Sequence, residues 1–309
     1  MNQSDNPAAA RRIGFISAIS AFTFWGFMPL YWARIGFVPA PEVLGHRVLW
    51  GGLFAWAIVL VRRYRMRPPA GPAASPLLPR GRTLGWLLLG GFLVVTNWFF
   101  YVWAVSSGRT LDASLGYYIN PLVSVLLGMV FLGERLTRLQ WAALACAVGG
   151  VLFLTLRVGV FPWVSLVLAF SFGTYGLIKK RAAFPVIHSL AVEILPFILV
   201  ALVFLGYLRR SGQGSFLAGD PVVSLLLWGA GFVTVMPLLF FAIAARRIRL
   251  ADVGFLQYIA PTLMFVVAVA VFRDPLEPAR LVGFVFVWLG LLLYTLSNLK
   301  GSLFRKFLP

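Results

Sequence analysis

Ten apolar runs divide this chain almost from end to end, at about 13–33, 42–61, 84–105, 112–131, 139–156, 162–178, 189–208, 221–245, 253–272 and 279–296. A helix needs ~20 predominantly apolar residues to cross ~30 Å of hydrocarbon, and only helices or closed barrels satisfy their backbone groups there. The alternation of a barrel strand is absent. The runs therefore predict an all-α integral membrane protein with ten transmembrane helices. The first run is followed by nine others and by no Ala-x-Ala site, so it reads as a retained helix rather than a cleaved signal.

Composition closes off other classes. Of 309 residues, 61% are apolar and 12% charged, against roughly 45 to 50% and 25% in soluble domains. One cysteine (Cys146) and two distant histidines (His46, His188) build neither an internal disulfide nor a Cys/His zinc site. No metal and no cofactor is expected. The net charge of +18 would suggest nucleic acid only as a single basic patch, but the basic residues come in small groups between apolar runs. No hydrolase, kinase or phosphate-loop motif occurs, so no catalytic residue is assigned.

Those small basic groups predict orientation. With the N-terminus inside, the inner segments carry 19 Lys and Arg, including six in the Pro-rich loop 62–83 and the Lys179-Lys180-Arg181 group, while the outer ones carry 7. Inner loops hold the excess, so both termini are expected in the cytoplasm.

The chain also aligns on itself. At an offset of 140, residues 111–156 match 251–296 without a gap, setting Asp112 on Asp252, Tyr118 on Tyr258, Pro121 on Pro261 and Gly150 on Gly290. A weaker echo at an offset of 150 sets Phe22 and Gly26 on Phe172 and Gly176. Five helices per copy is odd, so the second copy enters from the opposite side. Such an inverted repeat has two nearly equal packings, one open to each face, which suits alternating access. The predicted divisions are an N-terminal tail 1–12, repeats 13–157 and 158–299, and a C-terminal tail 300–309.

Polar residues inside the runs are the functional candidates. Arg47 lies ~6 Å outward of the midpoint of the second helix, where a guanidinium needs water or an anion. Glu42 and His46 share its helix, and could equally be an interfacial cluster. Asn97, Trp98 and Tyr101, then Tyr117, Tyr118 and Asn120, then Tyr175, and finally Gln257 and Tyr258 combine flat faces with hydrogen-bonding groups. These could line a site for a small amphipathic solute, or bind helix to helix. With Trp25 added, the expected substrate cavity is Trp25, Arg47, Asn97, Trp98, Tyr101, Tyr118, Asn120, Tyr175, Gln257 and Tyr258. Glu193 is the one acid well inside a run. A carboxyl among Leu, Val and Phe favours its protonated form, which makes Glu193 the candidate proton carrier unless a basic neighbour pairs with it. Asp112 and Asp252 open their helices and read as caps. Pro121, Pro237 and Pro261 each remove a backbone hydrogen bond and can bend their helices.

The segments Phe24-Trp25-Gly26-Phe27-Met28-Pro29-Leu30-Tyr31, Glu42 to Arg47, Asn97 to Ala104, Ala113 to Leu122, Leu132-Gly133-Glu134-Arg135 and Gly254 to Thr262, set in two inverted halves, resemble the RarD branch of the EamA-type drug/metabolite transporters. The resemblance covers nearly the whole chain. It implies a multi-pass permease of the bacterial inner membrane with a central cavity, related to exporters of amino acids and other metabolites; its link to chloramphenicol sensitivity names a phenotype and no transported molecule. The second half departs where Gly133 and Glu134 become Arg273 and Asp274. The expected function is thus a secondary transporter of small organic or drug-like compounds, exporting by alternating access with protons as a further partner. A facilitative channel or uniporter and a lipid-precursor flippase are the alternatives, and an enzyme is not expected. The expected surroundings are the lipid bilayer and a small organic solute, with the protein a monomer or homodimer and no nucleic acid.

Overall fold

A computed structural model describes residues 7–66, 77–107, 109–158, 161–182, 184–273 and 278–307. The helices are α1 (Pro7–Trp32), α2 (Ala40–Met66), α3 (Gly81–Ser106), α4 (Thr110–Leu132), α5 (Arg138–Val158), α6 (Trp163–Arg181), α7 (Val186–Arg210), α8 (Pro221–Arg247), α9 (Leu250–Gln257), α10 (Ile259–Ala270) and α11 (Pro278–Phe307). Among the described residues nine helical segments are long and apolar enough to cross a membrane, with α9 and α10 counting as one segment, Leu250–Ala270. The shorter α6, which ends in Lys179-Lys180-Arg181, completes the ten-helix bundle. Faces turned away from the bundle carry bare Leu199, Val200 and Val203, as a lipid-facing surface must.

The ends of these helices follow local chemistry. Asp220 caps α8, accepting from the backbone N–H of Val222 at 2.8 Å, with Pro221 in the first turn. Gly133 ends α4 in the left-handed region at φ 65°, where a side chain would be strained. Glu134 then reaches across to α9 and accepts from the N–H groups of Leu250 and Ala251 at 2.7 and 2.8 Å. The cap of α9 is therefore Glu134 and not Asp252, whose carboxylate is held by Arg249 at 2.6 Å and by the Tyr294 hydroxyl at 2.8 Å. The Asp112 side chain and Asp274 lie outside the described residues. Of the three prolines expected to bend helices, Pro121 and Pro237 sit in unbroken helices, whereas the ninth span is interrupted at Tyr258, three residues before Pro261. A proline ring crowds the carbonyl four residues earlier, here that of Gln257, which is where α9 stops.

Packing between the halves comes in symmetry-related pairs. Helix α6 lies against α3 and α4, and α1 lies likewise against α8 and α10; α2 meets α8 as α3 meets α7. Three pairs, α2 with α7, α4 with α9 and α5 with α11, map onto themselves and lie around the pseudo-twofold axis. The two halves are thus one five-helix unit used twice in opposite senses. The equivalent glycines Gly91 and Gly231 permit the closest crossings. A Cβ on Gly91 would sit 2.1 Å from the carbonyl oxygen of Glu193, and one on Gly231 would sit 2.4 Å from the backbone nitrogen of Gly51. Neither obstacle is a side chain that can swing aside.

Gly91→Ala should lower stability by about 1 to 3 kcal/mol or prevent folding, while Gly85→Ala, which meets nothing within 4 Å in the same helix, should be neutral. Unfolding midpoints of the two purified variants in detergent check this.

Candidate functional site

A cavity of about 340 Å³ lies between the halves. Its walls come from the last turns of α1, the start of α2, the second half of α3 and the first halves of α4 and α6, closed by the junction of α9 and α10. Since successive helices run in opposite directions, all of these segments lie in the half of the bundle away from the termini. Toward the terminal side α1, α6 and α9 pack shut with α8 through Phe22, Tyr175, Phe241 and Leu250, all within 1% of full burial.

Arg47 stands in this cavity. Its Nε donates to the Thr234 hydroxyl at 3.1 Å, and its guanidinium lies 4.9 Å from the ring centre of Trp98 and 5.2 Å from that of Trp32. Two tryptophan rings and one hydrogen bond hold the cation without neutralising it. Among the described residues no carboxylate comes within ion-pair distance of Arg47. In the same cavity, Asn120 Oδ1 and Gln257 Oε1 are buried acceptors with no hydrogen-bond partner among the described residues, and each residue is only 6% exposed. A buried carbonyl left unpaired costs about 1 to 3 kcal/mol, so these two atoms take a donor from whatever fills the cavity, water or solute.

Trp25, Asn97, Trp98 and Tyr101 also line the cavity. The amide of Asn97 is already spent, donating to the Leu168 carbonyl at 2.8 Å and to Ser171 Oγ at 3.0 Å, which anchors α3 to α6. Three expected cavity residues lie elsewhere. Tyr118 and Tyr258 turn toward the axis, where the Tyr258 hydroxyl donates to the Tyr118 carbonyl at 3.1 Å and the Tyr118 ring packs on Phe284. Tyr175 stacks on Phe241 and donates to Glu193 Oε2 at 3.2 Å. One residue rotates a helix by ~100°, so Tyr117 and not Tyr118 faces the cavity, its ring 5.8 Å from that of Tyr101. Trp32, Phe172 and Met264 complete the walls without having been singled out. For Trp32 a signal existed, because it falls on the helix face of Trp25 and Pro29.

Glu42 and His46 lie outside the cavity. Glu42 accepts from the backbone N–H of Ser215 at 2.6 Å, from the Ser215 hydroxyl at 3.0 Å and from Phe216 N–H at 3.3 Å, which ties the α7–α8 loop to α2. His46 accepts from Trp50 Nε1 at 3.0 Å.

Glu193 is not a lone carboxylate. It is fully buried on the terminal side of the cavity, with Lys179 Nζ 2.6 Å from its Oε1 and the hydroxyls of Ser189 and Tyr175 at 3.3 and 3.2 Å. Lys179, one of the three consecutive basic residues read as a loop, is itself 0% exposed. Its phase on α6 carries it to the side of Tyr175, one turn earlier. Its neighbours complete the closure: Lys180 Nζ donates to the Ile248 carbonyl at 2.5 Å at the end of α8, and Arg246 Nε donates to the Lys179 carbonyl at 3.2 Å near the end of α6. Each helix end is thus capped by a cation from the other. Arg47 and Glu193, equivalent at an offset of 146, sit on opposite sides of the midplane, and Glu193 shares no cavity with Arg47 in this state.

Lys179→Met leaves a buried carboxylate without its partner and should lower stability by about 3 to 5 kcal/mol. Adding Glu193→Gln should recover most of that loss. A double-mutant cycle on unfolding in detergent measures the coupling.

The EamA-like transporter family matches residues 12–156. Over 94% of this chain and 96% of the relative, the sequence is 40% identical to "Uncharacterized transporter YojE" of Bacillus subtilis. "Protein RarD" of Escherichia coli is 38% identical over 94% of this chain and 96% of its own, and "Chloramphenicol-sensitive protein RarD" of Pseudomonas aeruginosa is 31% identical over 91% and 92%. One crystallographically solved chain, 20% identical, superposes with a TM-score of 0.68 over 94% of this chain and 99% of that one, a likeness of fold. With its ten helices in two inverted halves and relatives alike over nearly its whole length, the chain is a member of the RarD branch of the EamA-like drug/metabolite transporters, multi-pass proteins of the membrane.

Proposed function

We propose that this membrane transporter is a secondary transporter of the bacterial inner membrane that exports a small organic solute by alternating access. The observation that supports the proposal is an Arg47 with no carboxylate partner sharing one closed-ended cavity between inverted halves with Asn120 Oδ1 and Gln257 Oε1, acceptors without a partner among the described residues. Those groups fit a solute with an anionic group for Arg47, an N–H donor for the two amides and a flat apolar body against Trp25, Trp98 and Phe172. A volume of about 340 Å³ suits a metabolite of modest size. With both termini in the cytoplasm, as the excess of basic residues on the terminal side favours, the cavity faces outward and the Glu193–Lys179 closure faces inward. Moving Lys179 from the loop to the interior leaves 18 basic residues against 7 and does not change that sign.

Transport then requires the inner closure to part. For a pH gradient to drive export, a proton entering from outside neutralises Glu193 as Lys179 withdraws, and leaves to the cytoplasm once the inner closure has parted. A closed terminal side also separates this reading from a channel, which needs a continuous path.

Reconstitution in liposomes with a metabolite mixture and mass spectrometry of what crosses identifies the solute. Arg47→Gln should reduce its uptake in counterflow by at least about tenfold, with folding retained. Glu193→Gln should keep counterflow but lose the response to an imposed pH gradient; a variant that still concentrates solute under the gradient would remove Glu193 from the coupling. Reporter fusions after Pro309 should report a cytoplasmic C-terminus.

A further inference from the structure

On the terminal face lies a second cavity, of about 490 Å³, remote from Arg47. It is walled by the first turn of α1, the start of α5, the α8–α9 link and α11, and so by both halves of the repeat. Three guanidiniums reach it, those of Arg11, Arg247 and Arg249. Arg249 is ion-paired, and Asp252 is spent on it through Oδ1 and Oδ2 at 2.6 and 3.1 Å while also accepting from Tyr294. Among the described residues no carboxylate lies within ion-pair distance of Arg11 or Arg247. The rest of the wall offers hydroxyls and amides, with Thr137 Oγ1 and Ser297 Oγ 2.8 Å apart across the seam between the halves.

We propose that this pocket binds a phosphoryl group. Two guanidiniums with no acid beside them among the described residues, Arg11 over the Phe15 ring at 5.4 Å and Arg247, together with neutral donors match a phosphate's several acceptor oxygens, and one already neutralised acid does not repel it. The volume exceeds that of a bare phosphate and leaves room for the glycerol of a phospholipid headgroup or the body of a soluble phosphorylated compound. Its place at the helix ends, where α1 and α8 emerge, is where basic pockets between spans meet anionic headgroups. The site also has a mechanical consequence. Arg11 belongs to the first half and Arg247 to the second, and α1 already presses on the link, since a Cβ on Gly14 would sit 2.6 Å from Ile248 and 2.8 Å from Arg247 Cβ. A bound anion ties the halves together on the side that is closed in this state. None of this depends on what the Arg47 cavity carries.

The test is thermal unfolding of the full chain in neutral detergent, titrated separately with phosphatidylglycerol in mixed micelles, with pyrophosphate, and with phosphatidylcholine as the zwitterionic control, whose phosphate is screened by its own choline. A ligand that binds the folded state raises the midpoint by mass action. Wild type should respond to phosphatidylglycerol or pyrophosphate and not to phosphatidylcholine. Response to the lipid alone assigns a headgroup, and response to pyrophosphate assigns a soluble source. Arg11→Gln with Arg247→Gln should raise the half-saturating concentration at least about tenfold, while Arg34→Gln on the far face should leave it unchanged. Ser297→Glu, which adds a negative charge and removes no guanidinium, should weaken the response as well and guards against a double variant that folds poorly. A wild type indifferent to both phosphoryl probes, or variants that respond as wild type does, would overturn the proposal.

Discussion

A hydrocarbon layer offers no partner to a polar group, and the arrangement of this protein follows from how each polar group inside it is answered. The backbone is answered by helices throughout. Glu193 is answered by Lys179 and two hydroxyls, sealed from solvent. Arg47 is answered differently: Thr234 and two tryptophan rings steady it, but among the described residues no carboxylate cancels its charge, and two acceptors of the same cavity have no partner. A satisfied charge on one side of the midplane and an unsatisfied one on the other is the physical content of a state closed at one face and ready for a ligand at the other.

Inverted symmetry is what the proposed alternating access rests on. Arg47 and Glu193 occupy equivalent places in the two halves, as do the close crossings at Gly91 and Gly231. The packing that seals Glu193 has a counterpart around Arg47 that is open in this state. Exchanging the two environments needs no new fold, because each half already adopts both kinds of neighbour relation, one on each side of the axis. In the proposed alternating access, the cross-capping of α6 and α8 by Lys180 and Arg246 is what would break on the closed side.

Much of this was legible in the sequence. Run lengths and the self-match at an offset of 140 suffice for ten helices in two inverted halves, because lipid leaves so few alternatives. Arg47 stood out since no bland environment accepts a guanidinium at that depth. What failed was phase. Tyr117 and Tyr118 are adjacent and chemically alike, and which of them meets the cavity depends on a rotation that apolar runs, hydrophobic all round, do not encode. Lys179 was hidden by its company: three consecutive basic residues look like a loop, yet α6 runs through them and turns the first inward. Glu134 capping α9 joins residues more than a hundred positions apart, and nothing local announces it.

The central claim, that one cavity is open to one face at a time, is tested most directly by thiol accessibility. In a Cys146→Ser background, Tyr101→Cys and Ser189→Cys can each be exposed to a membrane-impermeant thiol reagent in right-side-out and inside-out vesicles. Tyr101→Cys should react only from the face away from the termini, and Ser189→Cys only from the terminal face and only after the protein has turned over. A resting protein in which Tyr101→Cys reacts equally from both faces would contain a continuous pore, and would contradict the account.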